Sequence, residues 1–122
     1  MKVLIVEDEI LIAKSLKKLL SKKGIDAKIQ TSGRAAIEDI QQNHYERIIC
    51  DLMLQDITGF DVIEESKKVY TSSEISQVFI IITAYSSQQI LTKASQYGCI
   101  ILSKPFEDLH GAIDVFIKGL EH

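Results

Sequence analysis

Arg47-Ile48-Ile49-Cys50-Asp51 is an apolar run that stops at a carboxylate, and three further runs stop at groups of complementary chemistry. Val3-Leu4-Ile5-Val6 leads into Glu7-Asp8-Glu9, Val78-Phe79-Ile80-Ile81-Ile82 into Thr83, and Cys99-Ile100-Ile101-Leu102 into Ser103-Lys104-Pro105. Runs of this length read as strands buried on both faces. Open parallel sheets bind ligands outside the carboxyl ends of their strands, so parallel pairing would bring these polar groups to one edge.

Three carboxylates gathered there, Glu7, Asp8 and Asp51, repel one another and call for a compensating cation. A few carboxylates plus water suit a hard divalent ion, and magnesium in particular. Lys104 adds a further positive charge, and the hydroxyl of Thr83 completes a pocket for a tetrahedral anion beside a carboxylate nucleophile. Phosphoryl transfer asks a protein mainly to position reactants and neutralise oxygens. A carboxylate held beside the metal can attack phosphorus to give an acyl phosphate, and Asp51 is assigned that attack. Taken alone, an acid after a strand is usually a solvated loop residue, Thr83 a strand end and Lys104 a surface lysine. Their joint placement selects the functional reading.

The elements that must hold these groups alternate. The first strand precedes a helix from about Glu9 to Lys23, with Ile12, Leu16, Leu19 and Leu20 on one face, Lys14, Lys17, Lys18, Lys22 and Lys23 as a solvated face, and Gly24 as its stop. Glu9 is read only as a partner of that helix dipole. Ile25 to Gln30 alternates apolar and polar, which suits a half-exposed edge strand. Ser32 caps a helix carrying Ala35, Ala36, Ile37 and Ile40, and the chain returns through Asn43-His44-Tyr45 to the strand ending at Asp51. A helix beginning at Thr58-Gly59 places Phe60, Ile63 and Val69 in the core. Tyr70 to Gln77, rich in Ser and Thr, is predicted to be a mobile surface loop. A helix from about Ser87 to Tyr97 carries Ile90, Leu91 and Ala94 and stops at Gly98. Glu107 and Asp108 open a last helix with Leu109, Ile113, Phe116, Ile117 and Leu120 as its stripe. Five strands and five helices predict a doubly wound α/β fold, a five-stranded parallel sheet in the flavodoxin-like order 2-1-3-4-5. Glu7-Asp8 and Asp51 then face each other across the switch point between strands one and three.

Composition sets bounds. At 122 residues, 46% hydrophobic and 25% charged, the chain reads as one globular domain. A formal charge of -3 leaves no basic footprint for nucleic acid. No segment approaches membrane-spanning length, and no charged segment followed by a long apolar stretch opens the chain. Cys50 and Cys99 fall in predicted strands without metal-ligand spacing and read as reduced core thiols of a cytoplasmic protein. His44 and His110 have no partner at catalytic spacing. Leu120-Glu121-His122 resembles the start of a vector-encoded histidine tag, giving a domain over 1–119 and a tag remnant over 120–122, although Leu120 also fits the apolar register.

The pieces Leu4-Ile5-Val6-Glu7-Asp8-Glu9, Cys50-Asp51-Leu52-Met53 with Gly59, Ile82-Thr83-Ala84 and Leu102-Ser103-Lys104-Pro105-Phe106 occur in one order at specific separations. Together they resemble the receiver domain of two-component response regulators over essentially the whole chain. The resemblance implies a magnesium site from Glu7, Asp8, Asp51 and the backbone carbonyl of Met53. It implies phosphorylation of Asp51 by a histidine kinase or histidine phosphotransfer protein, a hydrogen bond from Thr83 to the phosphoryl group, pairing of Lys104 with its charge, and a cis Lys104-Pro105 peptide. It further implies a switch on the surface of the fourth predicted helix, fifth strand and fifth predicted helix, controlling an output domain or downstream protein, and it admits a phosphorylation-dependent homodimer. The domain takes part in its own phosphorylation and dephosphorylation but is not expected to turn over an external substrate.

The chain departs from the family pattern at several places. Gln55 replaces a frequent proline, Ile101 replaces the usual aromatic switch residue, and Gly98 to Lys104 is one residue shorter than is typical. Met53 and Tyr85, at positions that tune attack of water on the acyl phosphate, are poor at orienting water, which implies a long-lived phosphoryl group. With Ile101 in place of the aromatic, Tyr85 or another residue is a candidate to carry part of the signal. Three other functions compete. A flavin site needs a phosphate loop after the first strand, where Glu7-Asp8-Glu9 would repel the phosphate. An aspartyl phosphatase needs a second acid where Met53 stands. A phosphorylation-independent interaction module is the remaining alternative.

Overall fold

The computed structural model describes residues 2–120. Strands β1 (Lys2–Val6), β2 (Asp26–Gln30), β3 (Arg47–Asp51), β4 (Phe79–Thr83) and β5 (Ile100–Ser103) pair in parallel in the order β2-β1-β3-β4-β5. Between and after them run α1 (Ile10–Lys22), α2 (Gly33–Gln42), α3 (Gly59–Ser66), α4 (Ser72–Val78), α5 (Gln88–Tyr97) and α6 (Leu109–Ile117). The predicted doubly wound sheet and its strand order are present, with six helices rather than five among the described residues.

Successive side chains of a strand point to opposite faces, and both faces here are apolar. Val3, Ile5, Ile49, Ile80 and Ile82 pack with Leu16 and Leu20 of α1 and Phe116 of α6. Leu4, Val6, Ile48, Cys50, Phe79 and Ile81 pack on the other face with Ala36, Ile63 and Ile75. Each fully buried side chain of this size contributes about 1.5–3 kcal/mol. The three central strands are therefore clamped from both sides, and the polar residues at their ends have fixed positions. β2 is the half-exposed edge its alternation predicted, with Ala27 buried and Asp26 and Lys28 exposed.

Several expectations need correction. The stretch read as a loop contains α4, because the Thr71 hydroxyl accepts the Glu74 N–H at 3.1 Å while the Glu74 carboxylate accepts the Thr71 N–H at 2.9 Å. This reciprocal cap, followed by burial of Ile75 and Val78, is enough to start a helix in a Ser-rich segment. Val78 accordingly ends α4, and Cys99 precedes β5 rather than lying in it, although the thiol is buried. Val69 lies beyond the end of α3 and is 46% exposed, and Leu91 sits at the rim of α5, where Ala94 is the fully buried residue. Leu120, as its apolar register suggested, packs on the α1–α6 side of the core, and its N–H bonds to the Ile117 carbonyl. The rest of the tag reading, Glu121 and His122, lies outside the described residues.

Arg47, read only as the polar boundary of β3, reaches across to the end of α6. Its Nη1 donates to the Phe116 carbonyl and its Nη2 to the Lys118 carbonyl, both at 2.8 Å. The guanidinium satisfies carbonyls that a helix end leaves open and complements the negative end of the dipole.

Candidate functional site

The sheet ladder continues one residue past three strand ends, and that continuation positions the site. The Glu7 N–H bonds to the Gln30 carbonyl at 3.1 Å, the Leu52 N–H to the Ile82 carbonyl at 2.9 Å and the Lys104 N–H to the Thr83 carbonyl at 2.8 Å. Glu7, Asp51, Thr83 and Lys104 thus inherit the rigidity of the sheet rather than the freedom of loops.

Lys104 joins the acids. Its Nζ donates to Glu7 Oε1 at 2.8 Å and to Asp51 Oδ2 at 3.1 Å, with all three side chains almost wholly buried. The second Asp51 oxygen, Oδ1, accepts the Met53 N–H at 3.2 Å. Asp8 lies at the half-open mouth, and one carboxylate oxygen from each of Glu7, Asp8 and Asp51 falls within 4.8 Å of the others. Glu9 exceeds its expected role as a dipole partner, since its Oε1 is 3.7 Å from the Lys104 ammonium.

The charges do not balance. Burial, reinforced by the neighbouring Asp51 carboxylate and only partly offset by Lys104, pushes the Glu7 carboxyl up to about 7. Burial acts to lower the Lys104 ammonium, but its hydrogen bonds to Glu7 and Asp51 outweigh that and raise it. One lysine is thus shared between two buried acids, with a third acid close by. An all-oxygen, acid-rich set of this spacing fits a hard divalent cation such as magnesium, and the open Asp8 side leaves room for water ligands.

Thr83 is buried at the end of β4, but its hydroxyl is engaged locally. It donates to the Tyr85 carbonyl and accepts the Tyr85 N–H, each at 3.0 Å. Met53 places its backbone against Asp51 while its side chain is half exposed, and Tyr85 is exposed. The Lys104-Pro105 peptide is cis, as the resemblance implied. Ile101 is half-buried and packs on the α2–α5 side of the core.

Two supports of the site act through contacts that the sequence did not reveal. Gly59, at the start of α3, donates its N–H to the Leu52 carbonyl at 2.8 Å, and a Cβ there would stand 2.7 Å from the Asp51 carbonyl oxygen. Only a residue without a side chain lets α3 approach Asp51 so closely. Asp56, in the loop after β3, accepts the N–H groups of Gly33 and Arg34 at 3.0 Å each and so tethers that loop to the start of α2. The glycine was visible as part of a motif; nothing local in the sequence pairs Asp56 with a helix 22 residues upstream.

Comparison with known proteins agrees with this geometry. The family model described as response regulator receiver domain matches residues 3–114. The transcriptional regulatory protein ZraR of Escherichia coli is 28% identical over 98% of this chain and 26% of its own length. Response regulator ArlR of Staphylococcus haemolyticus is 34% identical over 86% of this chain and 46% of its own length. The chain therefore spans between about a quarter and about a half of the curated relatives it matches. Among solved structures, a Francisella response regulator receiver domain superposes with a TM-score of 0.80 at 25% identity, covering 98% of both chains. The receiver domain of a Pseudomonas aeruginosa sensor histidine kinase, solved with a magnesium ion coordinated in its active site cleft, shares the fold with a TM-score of 0.77 at 21% identity, over 97% of this chain and 98% of its own.

Proposed function

Since the chain belongs to the response regulator receiver domain family of two-component signalling, we infer that it accepts a phosphoryl group on Asp51 in a magnesium-dependent reaction and passes the change to a partner. The observation that carries this reading is the buried Asp51 carboxylate, gripped by Lys104 and the Met53 N–H and flanked by Glu7 and Asp8 at the carboxyl edge of the sheet.

Magnesium, when bound, supplies positive charge to the phosphoryl oxygens, and Glu7, Asp8, Asp51 and the Met53 carbonyl are the groups proposed to hold it. The protein's own part is positional. An Asp51 oxygen attacks phosphorus, the bond from phosphorus to the donor atom breaks, and the donor leaves with the electron pair; for a phosphohistidine the bond broken is P–N. Lys104, already within hydrogen-bond reach of Asp51, neutralises charge on the transferred group. The Thr83 hydroxyl, released from the Tyr85 backbone, donates to a phosphoryl oxygen. Donors are a histidine kinase or histidine phosphotransfer protein, and the cytoplasm is the corresponding compartment. Among the described residues no helix is long and apolar enough to cross a membrane.

The switching surface proposed from the resemblance is α5, β5 and α6, since α4 shifts the helix count by one. An output domain, a downstream protein or a second copy would read it. Acetyl phosphate with magnesium should phosphorylate the wild type, whereas Asp8→Asn should need far more magnesium and Lys104→Ala should lose about a hundredfold in rate. Equal labelling of all three proteins, followed on a gel that retards phosphoproteins, would defeat the reading. Met53→Asn combined with Tyr85→Glu should shorten the lifetime of the label, because both replacements can orient water.

A further inference from the structure

α5 is shallowly seated, with Ile90 and Tyr97 partly buried against the core. Ala94 is its one fully buried residue, and Gln88, Gln89, Leu91, Thr92 and Lys93 are exposed. At its C-terminal end, however, Tyr97 engages α3 in three ways. The Tyr97 hydroxyl donates to Glu64 Oε2, its ring stacks on Phe60 with centroids 5.8 Å apart and planes 25° apart, and the Lys67 ammonium lies 5.3 Å from its centroid. Lys93 of α5 adds a fourth contact, its ammonium 4.9 Å from the Phe60 centroid. A helix with one fully buried residue moves at lower cost than a core helix, so these rim contacts help to set where it sits.

The other end of this clamp touches the phosphoacceptor. Phe60 follows Gly59, whose N–H is bonded to the Leu52 carbonyl and whose Cα allows no atom between it and the Asp51 carbonyl oxygen. A change in the backbone at Asp51 and Leu52 therefore reaches the first turn of α3 without an intervening side chain. On the alternative route through Thr83, the hydroxyl is bonded to the Tyr85 backbone, and Ile101 stands where the family resemblance leads one to expect an aromatic.

We propose that Phe60 and Tyr97 carry the signal from Asp51 to α5, as positioning residues that link the first turn of α3 to the end of the switching helix. The proposal rests on Asp51 being the phosphoacceptor. Displacement of the Leu52 to Gly59 segment by the phosphoryl group moves the Phe60 ring, and the stacked Tyr97 ring moves with it. Lys67 and Lys93, by sitting over the two rings, keep the pair from separating.

The test is the amide chemical-shift change of Gln88–Tyr97 on treatment with magnesium and acetyl phosphate, with intact mass recording the phosphorylated fraction of each sample. Wild type should respond along α5. Phe60→Leu and, independently, Tyr97→Leu should reach the same phosphorylated fraction yet lose at least half of that response, while Phe60→Tyr, which keeps the ring, should retain it. Two variants on different helices keep the outcome readable should one fold poorly. A full α5 response in both leucine variants at equal phosphorylation would overturn the proposal and leave Asp51 phosphorylation standing. No added phosphoryl group on wild type would overturn both.

Discussion

Two buried carboxylates, Glu7 at the carboxyl edge of the sheet and Asp39 on α2, are treated in opposite ways by this protein. Burial tends to raise Asp39, but Gln30, Tyr45, Lys28 and Asn43 all donate to it and hold it down at about 2. Burial likewise raises Glu7, a second acid adds to that, and a single shared lysine leaves it at about 7. The first carboxylate is surrounded by donors and does structural work. The second stands in a cluster short of positive charge, the condition in which a cation and a phosphoryl group find a use for it. Stability and function are thus divided between the two regions.

The division is tested most severely by removing each acid. Asp39→Ala strands the buried Tyr45 hydroxyl, takes the acceptor from Gln30, Asn43 and the exposed Lys28, and should cost about 3 kcal/mol in urea unfolding. Glu7→Gln keeps an acceptor for Lys104 while relieving repulsion, and its stability should stay within about 1 kcal/mol of wild type. Similar losses for both would erase the distinction.

Gly59→Ala should cost about 2 kcal/mol, because the new Cβ can be accommodated only by pushing α3 from the backbone of Asp51. Its phosphorylation rate should fall as well; a variant that keeps wild-type stability and rate would show that the close approach is unimportant.

Acid should unmask the Asp39 contribution. Its folded value of about 2 lies below the ordinary aspartate value of 3.8, so the unfolded chain binds the proton first as pH drops. The contribution, about 2 kcal/mol, is complete above pH 4 and is lost as pH falls toward 2. The pH profile of Asp39→Asn should be flatter than wild type by that amount between those limits, and parallel profiles would count against the network.

The smallest effect belongs to the helix hidden in a Ser-rich segment. Thr71→Ala removes one half of the cap on α4 and should cost about 1 kcal/mol by thermal unfolding, with no change in phosphorylation.

The sheet, its order and the convergence of Glu7, Asp8, Asp51 and Lys104 were legible because each rests on a local pattern, an apolar run with a polar end. The α4 cap was also written locally, as Thr71 followed three residues later by Glu74, but the polar composition around it concealed the signal. What could not be read was contact at a distance. Arg47 closing α6, Asp56 holding the start of α2 and Tyr97 reaching Glu64 across 33 residues depend on the assembled fold. The burial of Val69 failed for a related reason, since α3 stops at Ser66 and the apolar period does not extend past a helix end.

Intact mass of the protein after incubation with magnesium and acetyl phosphate, beside Asp51→Asn, tests the central claim most directly. One added phosphoryl group on the wild type and none on the variant is the predicted result. An equal adduct on both proteins, or none on the wild type, would contradict the assignment of Asp51 as the phosphoacceptor.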